Sequence, residues 1–305
     1  MNLFEALQKS EERDLRVRKK TDGVLYHYTN LQALYAIINT GYFWGTRSEF
    51  LNDTSELKHI KNVIEEVAIQ EGEDKPKLSF KEAIFRILNG LYFNMHHRSK
   101  CFVLSLTDIS DLITNWSSYS SFDGYNIGLE SSYLHEILEY RYPQAYISGY
   151  VIYDEEVQEE IIREEYKEFF RIWETAAKFS QEALDTITEK FMERILKYSY
   201  FFKHPSFKQE EEYRIAFFPE NFEDHRKTDV KFRTSKGVII PFIELNFKDI
   251  SGDKTKLPLK EVWIGPTNKM DNAFLGLDTF LSTLGYDTES PEGVQIKTSV
   301  IPLRF

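Results

Sequence analysis

"VLYHYTNLQALYAIINTGYFWGTR" runs from Val24 to Arg47 and changes its hydrophobic period twice. Val24–Thr29 is aromatic and β-branched, the composition of a strand. From there Leu31, Leu34, Tyr35 and Ile38 fall at i, i+3, i+4 and i+7, the apolar stripe of an amphipathic helix. Thr29 or Asn30 stands where an N-cap is needed, and Gly41 follows the last periodic residue as a helix stop does. "YFWGT" then resumes an extended chain. Strand, helix and strand in so short a stretch predict an α+β fold. His27 lies between two tyrosines inside the first strand. An imidazole there is either buried against a backbone carbonyl or part of a binding site at the strand end.

The alternation continues outward. "CFVLSL" (101–106), "YNIGLE" (125–130), "AYISGYVIYD" (145–154), "EYRIAFF" (212–218), "GVIIPFIEL" (237–245), "LKEVWIGP" (259–266) and "VQIKTSVIPL" (294–303) read as strands. Helical patterns lie between them: an N-terminal amphipathic segment over 1–20 that ends in a basic cluster, one capped near Asp53 or Thr54, one over 80–97 that ends in "HHRSK", and one stopped by Gly285. Residues 154–203 are strongly helical and acidic, with Ile162, Tyr166, Phe169 and Trp173 on one face and Leu184, Ile187, Phe191 and Ile195 on another. The expected organisation is an N-terminal helix over 1–20 and a single α+β domain over 21–305. A helical insert at about 154–203 interrupts its mixed sheet.

Bulk composition narrows the function classes. The chain has 305 residues, 42% hydrophobic and 15% aromatic, ample for a packed core. Lys+Arg 38 against Asp+Glu 49 leaves a formal net charge of −11, which argues against broad phosphate-backbone binding. The one cysteine, Cys101, excludes a disulfide or Cys-based zinc site within the chain. No apolar stretch approaches the roughly 20 residues of a membrane helix, and the N-terminus does not read as a signal peptide. A soluble, cytoplasmic bacterial protein is expected, with no membrane partner.

Two constellations can carry chemistry. In "FKQEEEYRIAFF", an extended backbone would point Glu210 and Glu212 one way and Glu211 the other, just before an apolar strand. Paired carboxylates suit general-base and cation-stabilising roles; an exposed acidic loop is the plainer alternative. In "NWSSYSSFDGYNIGL", Trp116 and Tyr119 are three apart on a short helical turn and would either offer faces to a planar ligand or pack on the core. The histidines lack metal-ligand spacing, and no metal is expected. GxGxxG, GxxxxGK[ST] and GxSxG are absent.

In order along the chain, "LYHYTNLQALYAIINTGYFW…FLNDTSEL", "FVLSLTD…NWSSYSSFDGYNIGLE", "KHPSFKQEEEYRIAF" and "LKEVWIGP" resemble the bacterial family called domain of unknown function 2971, over about residues 24–270. The opening stretch and the glutamate strand also resemble ADP-ribosyltransferases. That resemblance implies a mainly antiparallel split sheet of ADP-ribosyltransferase type with flanking helices. It also implies NAD as substrate. Glu212 would be the catalytic carboxylate, Glu210 would orient or deprotonate the acceptor, and His27 would bond the ribose with Tyr28 and Thr29 shaping that edge. Trp116 or Tyr119 would stack on nicotinamide, and Arg47, Arg214 or the "HHRSK" cluster would meet the pyrophosphate. The implied function is ADP-ribosyl transfer or NAD hydrolysis by an intracellular bacterial effector, toxin or defence protein, with an unknown protein or nucleic acid as acceptor. Two rivals remain. "HYT" (27–29) and "HPS" (204–206) fit the H-x-[ST] letters of a two-histidine phosphoesterase, and the fold could also serve as a non-catalytic nucleotide-binding or interaction module.

Overall fold

The computed structural model describes residues 3–51, 56–71, 75–89, 101–176, 180–219, 229–235, 237–268 and 271–303. The caps expected at Asp53 or Thr54, and the "HHRSK" cluster, lie outside these residues. Numbered in chain order, the helices are α1 (Leu3–Glu12), α2 (Leu31–Thr40), α3 (Glu56–Glu71), α4 (Lys75–Asn89), α5 (Ile113–Ser120), α6 (Ser131–Arg141), α7 (Glu155–Ala176), α8 (Gln181–Tyr198) and α9 (Asp271–Thr283). The strands are β1 (Val24–Thr29), β2 (Tyr42–Arg47), β3 (Phe102–Thr107), β4 (Tyr125–Glu130), β5 (Tyr146–Tyr150), β6 (Glu212–Phe217), β7 (Lys231–Ser235), β8 (Val238–Asn246), β9 (Leu259–Ile264) and β10 (Gln295–Thr298). The chain divides into two compact units, one of Met1–Arg18, Leu51–Lys100 and Val151–Lys208, the other of Lys19–Phe50, Cys101–Tyr150 and Gln209–Phe305.

The first unit is helical. Ile162, Tyr166, Phe169 and Trp173 of α7 and Ile187, Phe191 and Ile195 of α8 are buried, as the 3.6-residue period requires. Phe80 of α4 is fully buried among the rings of Tyr166, Phe170, Trp173 and Phe191, with centroids 5.1, 6.0, 5.8 and 5.7 Å away. Three separate stretches of chain build this core, so the helices over 154–203 share it with α1, α3 and α4. The Arg194 guanidinium donates to the carbonyls of Ser10 in the last turn of α1 and of Arg13 and Asp14 just past it, satisfying acceptors that a helix end leaves open.

The second unit is a mixed α+β structure. Its sheet is mostly antiparallel, and among the described strands only β9 and β10 pair in parallel. The strand order is β10-β9-β4-β1-β3-β2-β8-β7, with β6 and β5 added beside β3. β3 therefore has three neighbours. Along one edge it pairs with β6 from Phe102 to Thr107. Along the other it pairs with β2 at its start, Thr46 opposite Val103, and with β1 at its end, Tyr26 opposite Thr107. The sheet is split between β1 and β2, and the middle of β3 lies in the fork.

α2 links the two arms of the fork. Asn30 caps it by accepting from the Ala33 amide at 2.9 Å, and Gly41 ends it at φ 70°, donating its amide to Ile37 O. The buried face is Leu34, Ile37 and Ile38, a rotation from the expected stripe. Leu31 and Tyr35 are exposed, and Tyr35 stacks on Phe280 of α9 at 5.2 Å instead of entering the core. Because Gly41 is left-handed, Gly41→Ala is expected to cost about 1–2 kcal/mol. A Cβ there would also meet the Lys248 side chain at 2.4 Å. The urea midpoint measures this; an unchanged midpoint contradicts it. No helix among the described residues is long and apolar enough to cross a membrane.

Candidate functional site

The fork explains the histidine. At the divergence neither β1 nor β2 pairs with the Ser105 carbonyl, and an unpaired buried carbonyl is costly. His27 Nδ1 takes it, donating to Ser105 O at 3.0 Å. The ring also meets Phe43 of β2 edge-on at 5.4 Å. A carbonyl can only accept, so the proton sits on Nδ1 and the neutral ring leaves Nε2 as an acceptor. Nε2 has no partner among the described residues, and His27 is half-buried. Of the two expectations for this residue, the structural one holds: Nδ1 bonds a backbone carbonyl that the diverging strands leave open.

Burial holds the His27 pKa below its ordinary 6.5, against the opposing effect of the Ser105 bond, and the charge of Arg233 lowers it further. The unfolded chain binds the proton more tightly, so the stability His27 contributes is full above pH 6.5 and falls as pH drops below it. His135, whose pKa is lowered chiefly by burial, acts in the same direction. His27→Gln is expected to flatten the acid limb of a urea-midpoint profile between pH 8 and 5, relative to wild type; parallel profiles contradict this.

Ser105 also connects His27 to the glutamates. Its hydroxyl donates to Glu212 Oε1 on the neighbouring strand β6, and Arg214 Nε donates to the same oxygen at 2.8 Å. Glu212 and Arg214 are 4% and 1% exposed, a buried ion pair. The extended alternation expected over 210–212 is not observed. Pro205–Glu210 is a 3₁₀ turn, Glu211 is left-handed at φ 46°, and the strand begins at Glu212. Beside this kink, strained for a residue with a Cβ, Tyr119 bonds the Glu210 carboxylate and lies near enough to Glu212 for its charge to act on the phenol. Tyr119 Oη donates to Glu210 Oε2 at 3.0 Å, and Asn115 Nδ2 donates to the Glu210 carbonyl. Burial first, then the charges of Glu212 and Glu210, push the Tyr119 phenol far above its ordinary pKa, so it stays protonated.

The other expected ligand residues are less available. Trp116 is fully buried, edge-on to Tyr28 at 4.7 Å and bonded through Nε1 to Asp111 Oδ1, so its face is closed to a planar ligand. Of the aromatic pair, Tyr119 lies at the site and Trp116 lies in the core beneath it. Tyr28 Oη donates to Ile109 O and accepts from the Leu112 amide, each at 2.9 Å, which fixes the turn before α5. Thr29 closes β1 opposite Tyr125 and is buried. Arg47 is held by Glu49 through Nε and Nη2, so its charge is already matched. The "HPS" segment enters the 3₁₀ turn rather than a strand, so the second motif of a two-histidine phosphoesterase lacks its strand setting.

Sequence reasoning missed two residues. Ser105 is the one polar side chain in "CFVLSL", a signal that was present. Arg233 belongs to β7, a strand with a largely exposed, polar pattern that gave no periodic apolar cue. Among the described residues no group of three or more His, Cys, Asp or Glu side chains could hold a metal ion.

Residues 115–215 match the family model described as "Protein of unknown function (DUF2971)". The matched stretch includes Trp116, Tyr119, Glu210 and Glu212 and supports the likeness to that family seen in the sequence. No curated protein and no solved structure matches the chain.

Proposed function

We propose that the chain cleaves the nicotinamide–ribose bond of NAD and passes ADP-ribose to a protein or nucleic-acid acceptor or to water. The observation that carries this reading is the line His27–Ser105–Glu212 across three adjacent strands at the fork: a free imidazole acceptor, a hydroxyl and a buried carboxylate. The mainly antiparallel, split sheet supports an ADP-ribosyltransferase-type core.

The chemistry follows from charge. When the C1′–N bond breaks, its electron pair leaves with nicotinamide and neutralises the pyridinium. The ribose is left with oxocarbenium character, as in glycoside hydrolysis. Glu212, bonded to the ribose 2′-hydroxyl in place of Ser105, would stabilise that cation, and preorganised electrostatics of this kind are usually the largest catalytic contribution. His27 Nε2 would accept from a ribose hydroxyl and hold the sugar. Glu210 would take the proton of the attacking hydroxyl, amine or water, and Tyr119, held protonated, would fix that carboxylate and wall the nicotinamide pocket. Half-buried Ser105 and His27 mark the side of entry, because Glu212 itself is only 4% exposed.

That near-closure favours a second reading, a nucleotide-binding module without turnover. Nicotinamide release from NAD, measured with and without cell lysate as a source of acceptors, separates the two. Release supports cleavage, and its dependence on lysate distinguishes transfer from hydrolysis. Saturable NAD binding without release under either condition favours the module, and absence of both overturns the NAD site.

A further inference from the structure

The three guanidiniums considered near the fork differ in what balances their charge. Arg47 is paired with Glu49 and Arg214 with Glu212. Arg233 is paired with no carboxylate among the described residues. From β7 it reaches back towards β2, donating from Nη2 to Thr46 Oγ1 at 3.0 Å. Its Nε is buried and has no hydrogen-bond partner among the described residues. A guanidinium partly withdrawn from water without a counter-charge among the described residues is costly, and that burial lowers even its own high pKa. Lys231, two residues earlier on the same strand, is already matched by Glu244 at 2.6 Å. Arg233 lies near enough to His27 for its charge to act on the imidazole. Arg233, Thr46, His27 and Ser105 are all half-buried rather than sealed, so a ligand can reach the group.

We propose that Arg233 and Thr46 form a phosphate subsite at the fork, beside His27, that takes a phosphate of a nucleotide ligand. The Nη donors that Thr46 leaves unused belong to a half-buried guanidinium, whose planar geometry binds phosphate oxygens in pairs. Thr46 Oγ1, while accepting from Nη2, keeps its own proton for a further phosphate oxygen. A phosphate would supply the negative charge that the site lacks. On the NAD reading it is the pyrophosphate, in place of Arg47. The identity of the nucleotide rests on that reading, but the phosphate recognition does not.

The test uses the full chain, calorimetric titration with ADP-ribose and with inorganic pyrophosphate, and the variants Arg233→Gln and Thr46→Val. Loss of a charge-assisted pair predicts about 10- to 100-fold weaker ADP-ribose binding in Arg233→Gln. A smaller, several-fold loss is expected in Thr46→Val. Because the free protein buries this charge without a carboxylate, Arg233→Gln is also expected to melt no lower than wild type, whereas a purely structural arginine would lower the midpoint. Wild-type binding of both probes that persists unchanged in Arg233→Gln overturns the subsite, as does failure of the wild type to bind either probe. Binding that depends on Arg233 in a protein that releases no nicotinamide from NAD leaves the subsite standing and removes the cleavage reading.

Discussion

Glu212→Gln is expected to bind NAD close to the wild-type affinity and to release nicotinamide at least about 10²–10³-fold more slowly, the usual loss when one preorganised electrostatic contact to the developing charge is removed. Gln keeps the shape of the side chain and can still bond a ribose hydroxyl, but it cannot stabilise an oxocarbenium charge. The same substitution weakens the buried bond from Arg214 Nε, and a hydrogen bond to a charged group is worth about 1.5–3 kcal/mol. Binding and melting midpoint therefore need to be measured on the same preparation. A folded variant that binds NAD but turns over like wild type removes Glu212 from the reaction. His27→Ala differs in kind. It deletes both the ribose contact and the donor to Ser105 O, so it is expected to lose affinity as well as rate.

The largest stability effect is expected in the helical unit, at Glu165. This carboxylate, 1% exposed, accepts from Arg194 Nε at 2.7 Å, from Tyr198 Oη at 3.1 Å and from Arg13. Arg194 is 6% exposed and spends its other donors on the carbonyls at the C-terminal end of α1 and just beyond it. Glu165→Leu strands the Arg194 charge in the interior, where breaking one side of a buried pair costs about 3–5 kcal/mol. Glu165→Gln, which keeps the acceptor oxygen, is expected to fall between Leu and wild type in urea midpoint. Equal midpoints for all three proteins would show that solvent reaches this cluster and screens it.

Much of the fold could be read from the sequence because its elements are locally patterned. β1, α2, Gly41 and β2 follow from caps and period, and the apolar faces of α7 and α8 from i, i+4 spacing. The helix over Ser131–Arg141 and the strand Lys231–Ser235 went unread. The first has a weak apolar pattern between two strong strands; the second, at a sheet edge, is largely exposed and lacks a periodic apolar face. The helices of the first unit come from distant stretches, and local period says nothing about which helices share a core. At the site, His27 and the glutamates were legible as residue types. Their link was not, since it depends on β3 pairing with β6 on one edge and with β1 and β2 on the other. The kink at Glu211 was equally hidden, because a left-handed glutamate has no sequence mark.

The central claim is that the fork in the sheet is the NAD site, and the most direct measurement is a crystal structure of the Glu212→Gln protein with NAD bound. The expected result puts the nicotinamide ribose within about 3 Å hydrogen-bond reach of His27 Nε2 and of the residue 212 amide, with the Ser105 hydroxyl displaced from it. NAD seated away from the fork, with the contact between Ser105 and residue 212 intact, would contradict it.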